Sequence, residues 1–177
     1  PAPPAEAPAT LEGTAAPGAL VFVSKGLEAY AFARSGEPAD LAHDREGFVP
    51  RALGVQVGQE LRLRSADGRL HTLLAKKVGG GWVRNVPITG GGETRVTFDE
   101  PVGAVTLECK VHGASEAPGM MAILDHPSWT VADASGRFSL RVALSGEGEV
   151  TAASPGSAPV TRPYRVGAGQ RVEVTLK

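Results

Sequence analysis

Apolar residues recur at every second position along much of this chain, which is the period of a half-buried β-strand and not the 3.6 of a helix. Leu53, Val55 and Val57 alternate along one stretch, Gly58-Gln59 turns the chain, and Leu61 and Leu63 then alternate with Glu60, Arg62 and Arg64. Such patterning puts the apolar set on one face and the charged set in water. Ala66-Asp67-Gly68-Arg69 has turn chemistry, and Leu70–Leu74, which carries His71, resumes an extended run. Gly103–His112 is the most informative segment. There Val105, Leu107, Cys109 and Val111 share one face, and Thr106, Glu108, Lys110 and His112 share the other, so Cys109 points inward. A loop over Gly113–Gly119 follows, and Met120–Leu124 opens another apolar run.

Further strands are expected over Ala19–Val23, Thr94–Phe98, Trp129–Ala132, Arg137–Leu144, Gly148–Ala153, Tyr164–Val166 and Arg171–Leu176. Leu27–Ala33 has mixed character, with Glu28 to Ala33 fitting a helical turn as well as an extended segment, and Arg34–Asp40 reads as loop. The glycine clusters at 79–81 and 90–92 read as flexible loop segments, with Trp82 between them as a loop anchor. Neither cluster has the strand-to-helix setting or the following Lys-Ser/Thr of a phosphate cradle. No long helical periodicity appears, so the chain is expected to be all-β, a sandwich or a pair of sandwiches.

Composition narrows the function. Among 177 residues, 18 Lys and Arg balance 19 Asp and Glu for a net charge of −1, which argues against a binder of nucleic acid and against a polybasic membrane-surface protein. No apolar run approaches the roughly 20 residues that span a bilayer. The single Cys excludes an intrachain disulfide. Pro1–Thr10 is rich in Pro and Ala and reads as an extended linker. Such a linker suits a domain held away from an upstream lipid anchor or a partner, and a frayed terminus is the plainer reading.

His71, Cys109, His112 and a Met at 120 or 121 form the one metal set that the sequence offers. Taken alone, Cys109 reads as a small buried hydrophobe and His71 as a satisfied loop-edge residue. Together, a thiolate, two imidazoles and a thioether are soft-to-borderline donors that suit copper cycling between two oxidation states. His43 and His126 have no partner spacing and read as surface or turn residues, although His43 lies close to Phe48 in sequence, which leaves a role behind the metal ligands open to it. The acidic residues Asp44, Glu46, Asp67 and Asp99-Glu100 show no catalytic pairing, and no Gly-x-Ser-x-Gly elbow occurs.

At these residues the sequence resembles the cupredoxins, the blue-copper electron-transfer proteins. Phe48-Val49-Pro50 and Val55-Gln56-Val57-Gly58 match the front half of the family pattern, His71 its first ligand, and Gly103 to His112 its Gly-x-x-x-x-x-Cys-x-x-His strand. The resemblance covers about residues 41–125. Two features depart from it: seven residues separate His112 from Met120, and Thr72 stands where the family commonly has Asn. Met120 fits the returning strand as the axial ligand, with Met121 as the alternative and a site lacking axial sulfur also open. A second resemblance, through the Asp-x-x-Gly-x-Phe turn at Asp133 to Phe138, is to a transthyretin-like or carboxypeptidase-regulatory-like β-sandwich.

These resemblances imply a cupredoxin-like Greek-key β-sandwich over 41–125 and a second, smaller β-sandwich over 126–177. Residues 11–40 would complete the second sandwich, and residues 1–10 would form the linker. They also imply a mononuclear type 1 copper protein, not an enzyme, that passes single electrons to a partner protein in the periplasm or outside the cell. His112 would be the surface outlet. A copper carrier without a redox role, or a sandwich whose metal site has decayed, are the alternatives.

Overall fold

In a computed structural model the chain is all-β, and the described residues are 1–112 and 116–177. Residues 113–115, part of the anticipated Gly113–Gly119 loop, lie outside the described residues. Among the described residues no helix is long and apolar enough to cross a membrane. In chain order the strands are β1 (Ala9–Thr14), β2 (Leu20–Lys25), β3 (Ala39–Asp44), β4 (Gly47–Val49), β5 (Ala52–Gln56), β6 (Leu61–Ser65), β7 (His71–Lys77) and β8 (Trp82–Ile88). They continue as β9 (Glu93–Val96), β10 (Gly103–Glu108), β11 (Gly119–Leu124), β12 (Trp129–Val131), β13 (Arg137–Val142), β14 (Gly146–Ala153), β15 (Val160–Val166) and β16 (Arg171–Thr175). The chain divides into two compact units, one built from Pro1–Ala33 and Asp125–Lys177, the other from Arg34–Leu124.

The discontinuous unit holds a three-stranded sheet, β13-β1-β16, and a four-stranded sheet, β12-β2-β14-β15. β1 runs antiparallel to β13, with Leu11 opposite Leu140, and parallel to β16, with Leu11 opposite Val172. Alternate residues of the two sheets (Leu11, Leu140 and Val142 from one, Val21, Val23 and Val150 from the other) meet in a single apolar core. The N-terminal strand is therefore part of this unit's core. Ala9 and Thr10, expected in the linker, already belong to β1, and Ala9 is fully buried. Upstream of them, Glu6 accepts hydrogen bonds from the backbone N–H and hydroxyl of Ser145. The turn into β13 is fixed by Asp133, whose Oδ1 accepts from the Ser135 N–H at 2.9 Å, the Ser135 hydroxyl at 2.6 Å and the Arg137 N–H at 2.9 Å. Those bonds, led by the one from the Ser135 side chain, hold the Asp133 carboxyl below its ordinary range.

The continuous unit holds a five-stranded sheet, β5-β11-β10-β7-β8, and a four-stranded sheet, β4-β3-β6-β9. β6 shows the expected alternation, with Leu61 and Leu63 buried and paired in parallel with Ala39 and Leu41 of β3. β11 is buried along its whole length, because it lies between β5 and β10 in the sheet interior.

Several expectations need correction. Ala39–Asp44 and Gly47–Val49 form strands where loop or no element was expected, and β8 occupies the segment between the glycine clusters. Trp82 opens β8 with 71% of its surface exposed, so it anchors no loop. The ladder of β10 ends at Glu108, and Val111 is exposed and does not continue the inward face. His43, expected at the surface or in a turn, is buried within β3, and His126 lies in the expected bend, between β11 and β12, but is buried. Burial, as the leading cause, pushes the imidazole of His126 below its ordinary pKa.

Candidate metal centre

His71 opens β7, and Cys109 is the first residue past the end of β10. The two strands pair with Leu107 opposite Ala75 and Val105 opposite Lys77. Period-two alternation from that register puts His71, Leu73 and Ala75 on the same face as Val105, Leu107 and Cys109. The Cys109 Sγ lies 4.0 Å from His71 Nδ1, in a buried setting. Two such donors on one tetrahedral or trigonal metal stand about 3.5–3.8 Å apart, given bond lengths near 2.0 and 2.3 Å. The observed gap therefore needs only a small contraction.

The other ring nitrogen of His71 is held from behind. Its Nε2 lies 2.8 Å from Asp67 Oδ1, which also accepts from the Ser65 hydroxyl at 3.1 Å and the Arg69 N–H at 3.0 Å. The bond with His71 is the main reason that the Asp67 carboxyl sits well below its ordinary pKa. With Nε2–H donated to a carboxylate, the Nδ1 lone pair faces the sulfur, and the ring gains basicity as a ligand. Thr72 ties the segment after Cys109 to β7: its hydroxyl accepts from the Lys110 N–H at 3.0 Å and lies 3.9 Å from the sulfur.

His112 stands beside this pair. Its ring centroid is 4.9 Å from that of His71, and its side chain keeps 32% exposure. Its Nδ1 lies 3.2 Å from Oε1 of Glu116, whose side chain is only 6% exposed. Oε2 of the same carboxylate lies 3.3 Å from Nε2 of His43. His43 comes from β3, stacks 4.2 Å from His71 and meets Phe48 edge-on at 4.4 Å. The 3.3 Å separation lacks hydrogen-bond direction. Among the described residues, both ring nitrogens of the fully buried His43 and Glu116 Oε2 are therefore left without a hydrogen-bond partner. Burial is the leading cause that lowers the His43 pKa, with the neighbouring His71 next, and both favour the neutral ring.

His43, His71, Cys109 and Glu116 each bring a donor atom, and these atoms lie within 4.8 Å of one another. The set fits a transition metal. It combines a thiolate, imidazoles and a carboxylate, and among the described residues the His43 ring and Glu116 Oε2 have no hydrogen-bond partner, a need that a cation would meet. Of the residues singled out in the sequence, His71 and Cys109 are in this set, His112 stands beside it and is not one of the four, and His43 and Glu116 were not anticipated as donors. The signal for His43 was Leu41-x-His43, two residues sharing the inward face of β3. Glu116 carried only its offset of four from His112.

The methionines lie further along the sheet. Both are buried, Met120 opposite Thr106 and Met121 opposite Val105. That register gives Met121 the sheet face of Leu107 and Cys109, four residues along β10 from the cysteine, and gives Met120 the opposite face. A cleft of about 200 Å³, lined by Arg45, Asp67, Arg69, His71, His112 and Glu116, opens beside His112.

No family model matches the chain, and no curated protein matches it. Among solved structures it is similar to a purple cupredoxin from Nitrosopumilus maritimus, at 20% identity over 48% of this chain and 98% of that one, with a TM-score of 0.40. It is also similar to a copper-containing nitrite reductase from Thermus scotoductus SA-01, at 19% identity over 60% of this chain and 25% of that one, with a TM-score of 0.42. A third similar structure is an amicyanin mutant in its reduced state, at 14% identity over 58% of this chain and 97% of that one, with a TM-score of 0.40. Each is a distant likeness of strand arrangement only.

Proposed function

We propose that the Arg34–Leu124 unit is a mononuclear copper-binding domain that passes single electrons outside the cytoplasm, with His71, Cys109 and His112 holding the metal. The observation that carries this reading is the buried Cys109 Sγ 4.0 Å from His71 Nδ1, with Asp67 engaging the other ring nitrogen. Two imidazoles and a thiolate are the in-plane donors of blue-copper centres. Bound copper would supply a one-electron couple between Cu(II) and Cu(I).

The chain's own part is to hold the donors still. His71 opens β7 and Cys109 directly follows β10, and the ladder between these two strands sets where both residues stand. The Asp67 carboxylate holds the His71 ring in one orientation. His112, the most exposed of the three clustered imidazoles, is the outlet at which a redox partner protein would meet the site. The other unit, read as a transthyretin-like sandwich, carries no assigned chemistry.

Titration with Cu(II) tests this reading. One equivalent is expected to give an intense visible thiolate-to-copper band that a mild reductant bleaches and an oxidant restores. A colourless protein after one equivalent contradicts it. The carrier reading draws on the cleft beside His112, an open path for metal exchange. It predicts rapid loss of copper to a chelator and no reversible cycling.

A further inference from the structure

We infer that Glu116 and His43 enter the coordination of the bound metal, so that a carboxylate, and not a methionine thioether, completes the donor set; this rests on the copper reading above. Three observations converge on it. Glu116 is nearly buried, and its two oxygens face two different imidazoles, His43 Nε2 at 3.3 Å and His112 Nδ1 at 3.2 Å. His43 is fully buried, and neither ring nitrogen has a hydrogen-bond partner among the described residues. Their donor atoms lie within 4.8 Å of those of His71 and Cys109. A buried polar atom without a partner costs free energy that native structures rarely leave unmet, and a carboxylate costs more than an imidazole. A cation within reach of the clustered donors would meet Glu116 Oε2 and one of the two His43 ring nitrogens. The methionines are placed less well. Met120 faces away from the sheet side of Cys109, and Met121 lies opposite Val105, four residues from Cys109.

The charge count gives the consequence. A thiolate and a carboxylate together carry two negative charges, which balance Cu(II) but leave Cu(I) with a net negative charge in a buried site. A hard anionic oxygen also prefers Cu(II) to Cu(I), whereas a thioether prefers the reverse. The structure thus assigns a site biased toward the oxidised metal.

The test compares Glu116→Gln, Met120→Leu and Met121→Leu with the parent protein, each loaded with one equivalent of Cu(II). Glu116→Gln is expected to weaken Cu(II) binding by about 10–100-fold, by analogy with the loss of groups around metal centres. It should also shift the thiolate band and the electron-spin-resonance parameters, and raise the reduction potential. The two methionine variants should leave all of these unchanged. Pulsed spin resonance on His112→Ala should count two coordinated imidazoles, those of His71 and His43, which tests His43 without a core substitution. An intact thiolate band that Glu116→Gln leaves unmoved, a shift on replacing either methionine, or a count of one imidazole in His112→Ala overturns this inference and leaves the copper reading standing. Failure of the parent protein to bind Cu(II) overturns both.

Discussion

Replacing Cys109 with serine abolishes the visible band of the copper-loaded protein and weakens copper binding by at least about 100-fold, more than the loss of a group behind the ligands would. The sulfur is the only thiol in the chain, so no other residue can supply a thiolate-to-copper transition. The fold itself tolerates the change. Serine is close in size, and the position is buried beside the Thr72 hydroxyl, 3.9 Å from the sulfur. Burying a hydroxyl there costs about 1–3 kcal/mol of apo stability. The copper-dependent gain in stability, about 2.7 kcal/mol at a free metal concentration of 100 Kd, disappears in the variant. Denaturant melts with and without one equivalent of Cu(II) separate the two effects. A variant that keeps the parent's copper-dependent gain would show that the metal binds elsewhere.

Phe48→Ala has the second large effect, through packing. Phe48 is 1% exposed and meets the His43 ring edge-on at 4.4 Å. It also crowds the start of β11, where a Cβ at Gly119 would stand 3.3 Å from the Phe48 Cβ. Truncation removes a buried ring and opens a cavity beside His43, at a cost of about 3–5 kcal/mol. Urea unfolding of the apo protein measures it. A loss under about 1 kcal/mol would mean that the site's walls do not depend on this ring.

The fold was legible where one strand face meets water and the other meets the core. Leu61 and Leu63 alternate with Arg62 and Arg64 because β6 is a solvent-facing strand, and the pattern states it directly. β8 was not legible. Arg84, Asn85 and Pro87 interrupt its apolar positions, only Ile88 is buried, and glycine triplets flank it like loops. Its existence depends on pairing with β7, which is a tertiary fact. β3 was hidden for a related reason: charged residues flank Leu41 and His43, and the strand is defined by its parallel partner β6 and by β4.

The site divides along the same line. His71 and Cys109 were legible because each lies on or beside a strand whose alternation fixes its direction. His43 was illegible as a site residue because a histidine at an inward position looks like any loop polar residue until its strand is known. Glu116 lies between His112 and β11, outside any ladder, and is brought in by where the chain returns and not by a local pattern.

The central claim is that sulfur and imidazole donors from separate parts of the sheet meet on one copper ion. X-ray absorption at the copper edge, on protein carrying one equivalent of Cu(II), tests it most directly. The account predicts a sulfur atom and several imidazole rings in the first shell of a single copper environment. A first shell of nitrogen and oxygen alone would contradict it.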